Sequence, residues 1–186
     1  MDARNEKALD ALLRSSFREL FQTETSAVRH CQREAERLGV APPAAPLRAI
    51  SRQAEGFLAE LPQLARAHKL PMCAGGIAVG ELFSQTRDNL ADRFIRSECS
   101  YRGTMLGLRH GVDLVQLVSV AAGERGYSDI TEFCVRWLSA RLPLMSELER
   151  ELAWFAREPA EAMRIARGLF GRRRSGRARN VVSPAT

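Results

Sequence analysis

Residues 94–123 read FIRSECSYRGTMLGLRHGVDLVQLVSVAAG, and the spacing of their apolar side chains decides the fold. Phe94, Tyr101, Met105, Leu108, Val112 and Val115, with Glu98 among them, alternate in steps of three and four, which puts them on one side of an α-helix. Leu106, Leu114 and Leu117 fall on the other side, so the segment is expected to be buried on two faces at the centre of a bundle. Strands require a two-residue alternation or β-branched runs, and the chain offers neither convincingly. The helix to which this stretch belongs is expected to cover Ala78 to Ala122; unbroken it would reach about 67 Å, which makes a kink or break near its glycines reasonable.

The same reading extends outward in both directions. A first helix is predicted from Asn5 to Leu38, ending at Gly39 before Pro42 and Pro43, with the stripe Leu13, Phe17, Leu20, Glu24, Ala27, Cys31 and Leu38. A second runs from Pro46 to Lys69, burying Leu47, Ile50, Ala54, Phe57, Leu61, Leu64 and His68, with a kink expected at Pro62. The segment from Pro71 to Gly76 is read as a turn or hinge. Ser128 is the expected cap of a fourth helix that reaches Arg157, with Asp129 and Glu132 placed to suit its dipole and a kink expected at Pro143. Its stripe is Ile130, Phe133, Trp137, Leu144, Leu148, Leu152 and Phe155. Pro159 opens a short fifth helix that ends near Phe170. The fold class is therefore all-α: an antiparallel bundle of four main helices and a short fifth in residues 1–170, followed by a disordered basic tail in residues 171–186.

Composition excludes several classes. Of the 186 residues 45% are hydrophobic and 27% charged, which suits a folded domain and not a disordered chain. The formal net charge is +6, but Arg172, Arg173, Arg174, Arg177 and Arg179 all lie in the last fifteen residues, and taking those five charges from +6 leaves Met1–Gly171 at only +1. The arginine cluster is the candidate contact for an anionic surface, such as nucleic acid or acidic lipid, and without interleaved aromatics such binding would be nonspecific. No uncharged apolar run reaches the length of a membrane span, and Asp2, Arg4, Glu6, Lys7 and Asp10 interrupt any signal-like start, so a cytoplasmic protein is expected. Cys31, Cys73, Cys99 and Cys134 show no paired spacing, which fits reduced thiols; Cys31 and Cys134 read as core fillers and Cys73 as the accessible one.

Glu24 and Glu98 carry the most chemistry, because each occupies a position where the helical period calls for an apolar side chain. A buried carboxylate needs a cation, a metal or hydrogen-bond donors, and Arg141 is a candidate partner. Inward carboxylates on different helices of a four-helix bundle resemble the ferritin-like di-iron proteins, over residues 5–157. That resemblance implies iron or manganese held by Glu24, Glu98 and Tyr101, although Tyr101 stands where the family places a histidine and the second and fourth helices lack an inward Glu. The residues by themselves call for no cofactor. His30, His68 and His110 lie on three helices without zinc-site spacing, His110 and Asp113 are a turn apart and could bond locally, and Gly75-Gly76 lacks the strand and lysine of a phosphate loop.

Gly103, Gly107 and Gly111 recur every fourth residue and line up along one side of the third helix. Each costs about 1 kcal/mol in a helix interior, which points to close helix–helix contact, within the chain or with a second copy. The long apolar stripes, this glycine line and the lack of a catalytic motif lead to the expectation of a non-catalytic bundle that acts by binding a protein partner or itself. A metal-binding or oxidoreductase bundle and an accessory protein docking through its basic tail are the alternatives.

Overall fold

A computed structural model describes residues 3–71 and 95–166. Among the described residues there are four long helices and a short one: α1 (Ala3–Leu38), α2 (Ala44–Ala67), α3 (Ser97–Arg125), α4 (Ser128–Arg157) and α5 (Pro159–Ala162). The all-α fold expected from the periodicity is present. The predicted hinge at Pro71–Gly76, with Cys73, falls almost wholly outside the described residues, as does the arginine cluster from Arg172 to Arg179.

The helix ends follow local chemistry. Gly39 adopts φ +64°, left-handed backbone that costs glycine little, and its N–H donates to Ala35 O at 3.0 Å as α1 stops. Gly126 does the same for α3 at φ +73°, and the N–H of Tyr127 closes the turn onto Ala122 O at 2.9 Å. Ser128 does not cap α4. The residue ahead of the helix is Tyr127, which forms no side-chain cap, and the carboxylate of Asp129 instead accepts the Ile130 N–H at 2.9 Å. Both internal prolines, Pro62 and Pro143, lie inside helices that continue past them.

Two expectations about helix extent are corrected. Part of the anticipated Ala78–Ala122 helix lies outside the described residues, but Arg96 is extended (φ −71°, ψ 150°) and α3 begins only at Ser97. The fifth helix stops at Ala162 instead of continuing to Phe170. The two departures have one cause: Arg96 and Ile165 form an antiparallel bridge, with Ser97 N–H donating to Arg164 O and Ala166 N–H to Ile95 O, each at 2.8 Å. Backbone groups satisfied by a partner distant in sequence gain nothing from a further helical turn, and helical periodicity cannot register such a partner.

Cross-helix contacts set the directions. Along α1 and α3, Asp10 meets Arg125, Glu19 meets His110 and Glu34 meets Ser100, so these helices are antiparallel. Along α2 and α4, His68 meets Asp129, Glu60 meets Arg136 and Gln53 meets Arg141, again antiparallel. Short connections, Leu38 to Ala44 and Arg125 to Ser128, turn the chain back between α1 and α2 and between α3 and α4, and Ser51 donates to Val28 O and the Tyr101 hydroxyl to Leu148 O across these antiparallel pairs. Consequently α2 and α3 run parallel, and Leu70 and Ile95 lie at opposite ends of the bundle.

The core divides into two apolar clusters. One holds Leu13, Phe17, Phe57, Val115, Phe133 and Trp137. The other holds Cys31, Ile50, Tyr101, Met105, Leu148 and Phe155. Along each helix the boundary between them falls at one level: near Glu24 on α1, Gln53 on α2, Gly111 on α3 and Arg141 on α4. The expectation that α3 is buried on two faces is corrected as well. Leu114 is buried, but Leu106 is 68% exposed, Leu117 45% and Val120 67%, because α1 and α4 cover only one side of α3.

Candidate functional site

The chemistry of the interior lies at the waist between the two clusters. Glu24 and Arg141 are 0% and 1% exposed, and Arg141 Nη2 donates to Glu24 Oε2 at 2.9 Å. Arg141 Nε donates to Gln53 Oε1, and its guanidinium lies over the Trp137 ring, 4.4 Å from the centroid. One cation thereby joins α1, α2 and α4. The fourth helix contributes space: a Cβ at Gly111 would stand 3.0 Å from Thr23 Cγ2 and 4.0 Å from Trp137. The absent side chain lets α3 lie close against Thr23 of α1, with Trp137 at ordinary contact distance. Gly107 differs, being exposed with nothing within 4 Å of such an atom, and Gly103 is only half-buried.

The carboxylate is not fully satisfied. Glu24 Oε1 and Trp137 Nε1 are both buried without a hydrogen-bond partner. Desolvation raises the Glu24 carboxyl above its ordinary range; the Arg141 charge and the nearby Trp137 indole, which is outside hydrogen-bond geometry, oppose the shift without cancelling it. At this position desolvation of the carboxylate outweighs the attraction of the Arg141 charge.

The structure does not bring the other carboxylate to this point. Glu98 is in the first turn of α3, 28% exposed, and accepts from Arg102 Nε at 2.8 Å in an i,i+4 pair. Thirteen residues separate it from Gly111 at the waist, about 20 Å along the helix. The expectation that Glu98 is buried is therefore corrected: Arg102 holds its carboxylate at the solvent edge. Tyr101 is fully buried, with its hydroxyl given to Leu148 O at 3.1 Å and its ring 5.1 Å from that of Phe155. The donor set does not suit the metal implied by the ferritin-like resemblance, since Glu24 faces a guanidinium, Tyr101 is committed to a carbonyl and Glu98 is remote. Among the described residues no group of three His, Cys, Asp or Glu side chains is arranged to hold a metal ion. Glu98→Ala is accordingly expected to change stability by less than about 0.5 kcal/mol, as for exposed helical pairs; urea unfolding followed by circular dichroism checks this.

Two further polar clusters escaped the sequence reading. Near the start of α3, Glu34 Oε2 accepts from Ser100 Oγ at 2.6 Å and from Arg37 Nη1 at 3.1 Å, and Arg37 also reaches Ser100 Oγ at 2.9 Å. Glu34 lies three residues beyond Cys31, so the same period that singled out Glu24 could have found it. At the opposite end Arg125 donates twice to Asp10, at 2.6 and 3.1 Å, and the His68 ring lies 4.2 Å from that of Tyr127. His68 Nε2 is 2.8 Å from both oxygens of Asp129. Burial raises the Asp129 carboxyl, but the bonds from His68 and the Ile130 N–H outweigh it and leave the group below its usual range. His110 bonds Glu19 at 2.8 Å across to α1 and not the neighbouring Asp113, because antiparallel packing puts an acceptor directly opposite.

The thiols of Cys31 and Cys134 are buried as expected, and desolvation pushes both up to about 12, which makes them inert as nucleophiles at neutral pH. Cys99 is exposed on α3 and was not singled out by its spacing. It borders a groove of about 480 Å³ whose apolar lining includes Ile95, Met105, Leu106 and Leu152. A small cavity of about 50 Å³ lies beside His68, Tyr127 and Asp10. No protein family, no curated protein and no solved structure matches the chain. No helix among the described residues is long and apolar enough to cross a membrane.

Proposed function

We infer that the protein is a non-catalytic helical bundle that works by binding another protein or a second copy of itself through the outward side of α3 and α4. One observation carries this reading. Leu106, Leu117 and Val120 on α3 are 68%, 45% and 67% exposed, and Val135 and Leu142 on α4 are 54% and 45% exposed. Eleven residues separate Leu106 from Leu117 and seven separate Val135 from Leu142, spacings that keep each pair on one side of its helix. The antiparallel register given by Tyr101 and Leu148 places Leu106 at the level of Leu142 and Leu117 within one helical turn of the level of Val135. Exposed apolar residues gathered on adjacent helices fit an interaction surface better than isolated ones do.

The interior supports the same reading, since the polar waist is closed to solvent and Arg141 there is bonded to both Glu24 and Gln53. The ferritin-like alternative is supported in architecture by the parallel course of α2 and α3, a feature of bundles with a long crossover. Its metal chemistry lacks converging ligands among the described residues. The anionic-surface alternative rests on the arginines after Phe170 and is independent of the bundle.

The test compares the wild-type chain with Leu117→Arg by light scattering and by affinity capture of defined partners. At an exposed position the substitution should leave the circular dichroism spectrum unchanged and remove the association. Association that is absent in the wild type, or identical in the variant, overturns the reading.

A further inference from the structure

Resting on that reading, we propose that the occupant of the α3 face is a second copy of this chain, packed antiparallel about a twofold axis beside Leu117. Charge placement is the argument. From Leu114 to Gly123 α3 has no charged residue, so its exposed centre can meet itself without like-charge repulsion. In an antiparallel pair of α3 helices centred between Gln116 and Leu117, Arg109 of each copy faces Glu124 of the other, and Asp113 faces Val120. The like-charged Asp113 side chains are then about 10 Å apart along the axis. A pair centred two residues nearer the carboxy terminus, which shifts the pairing by four, would set Asp113 against Glu124, two acids face to face, and is disfavoured by that repulsion. The interface is isologous, and each favourable charge pair occurs twice.

Arg109, Asp113, Leu117, Val120 and Glu124 are all exposed. Within one chain Arg109 bonds Glu149 at 2.9 Å. Glu124 is fifteen residues from Arg109, about 22 Å along a straight helix, so the two cannot meet in a single copy. Any energetic coupling between them therefore reports contact between copies.

Sedimentation equilibrium over a concentration series in low salt is the experiment. The wild type is expected to approach twice 20.7 kDa, and Leu117→Arg to stay monomeric with unchanged helicity. Arg109→Glu and Glu124→Arg should each weaken the dimer roughly tenfold, from two exposed pairs lost per interface. The double exchange should restore most of that affinity. The lost bond to Glu149 is common to Arg109→Glu and the double variant, so it cannot produce the rescue. A wild type that stays monomeric at every concentration overturns self-association; if Leu117→Arg then still abolishes capture of a different protein, the interface reading survives without the second copy. A dimer that the double exchange fails to restore overturns this register. A dimer untouched by Leu117→Arg overturns both the proposal and the face on which it rests.

Discussion

Arg141→Met is expected to destabilise the protein by about 3–5 kcal/mol, the usual consequence of removing one partner from a buried ion pair. Methionine fills much of the volume, so the loss comes chiefly from the Glu24 carboxylate, which is left in the core without its cation. The effect carries a pH signature. A carboxyl whose folded pKa lies above its unfolded value binds more protons folded than unfolded, so stability falls as pH rises from the unfolded value toward the folded one. The Glu24 carboxyl is already raised in the wild type, and loss of Arg141 raises it further. The variant should therefore lose more stability at pH 7 than at pH 5, measured by urea unfolding at both. Glu24→Gln should be milder, because an amide oxygen can still accept from the guanidinium. The double replacement Glu24→Leu with Arg141→Met should be less damaging than Arg141→Met alone, since no charge is then stranded. A pH-independent loss, or additive single effects, would show that the pair is not coupled as its 2.9 Å geometry implies.

Trp137→Ala is expected to cost about 3–5 kcal/mol, by opening a cavity where three helices converge. The ring lies beneath Arg141 and 6.4 Å from that of Phe57, and its edge is in contact range of Gly111 on α3. Trp137→Phe should be distinctly milder, because it keeps most of the apolar volume and removes an indole N–H that has no hydrogen-bond partner. Thermal unfolding followed by circular dichroism reads both, with the alanine variant melting lower by about 10 °C. Equal losses in the two variants would contradict the cavity argument. Loss in Trp137→Ala that disappears in an Arg141→Met background would instead assign the effect to the cation–π contact.

What was legible in advance followed one rule, that a helix in water hides one stripe and exposes the rest. That rule placed α1, α2 and α4 nearly to their ends, put Tyr101, Cys31 and Phe133 in the core, and marked Glu24 as a carboxylate in an apolar position, with Arg141 as a possible partner. The rule failed where an apolar side chain stays outside. Leu106 and Leu117 were assigned to a second buried face because periodicity records which residues share a side, not whether a neighbour covers it. Glu98 failed for the related reason that its place in the stripe falls in the first turn, where the core thins and Arg102 on the next turn can hold it at the edge.

By itself the sequence determined the all-α class, the four long helices seen among the described residues, the turn at Gly39 and the near neutrality of the chain before its arginine tail, since these depend on neighbours a few residues away. Tertiary structure alone decided which groups meet: Glu24 with Arg141 and Gln53, Gly111 with Thr23 and Trp137, Arg96 with Ile165, and the parallel course of α2 and α3. Those contacts join residues that are often about a hundred positions apart. Their geometry depends on how four rods rotate and slide as they pack, and the local period leaves that rotation open.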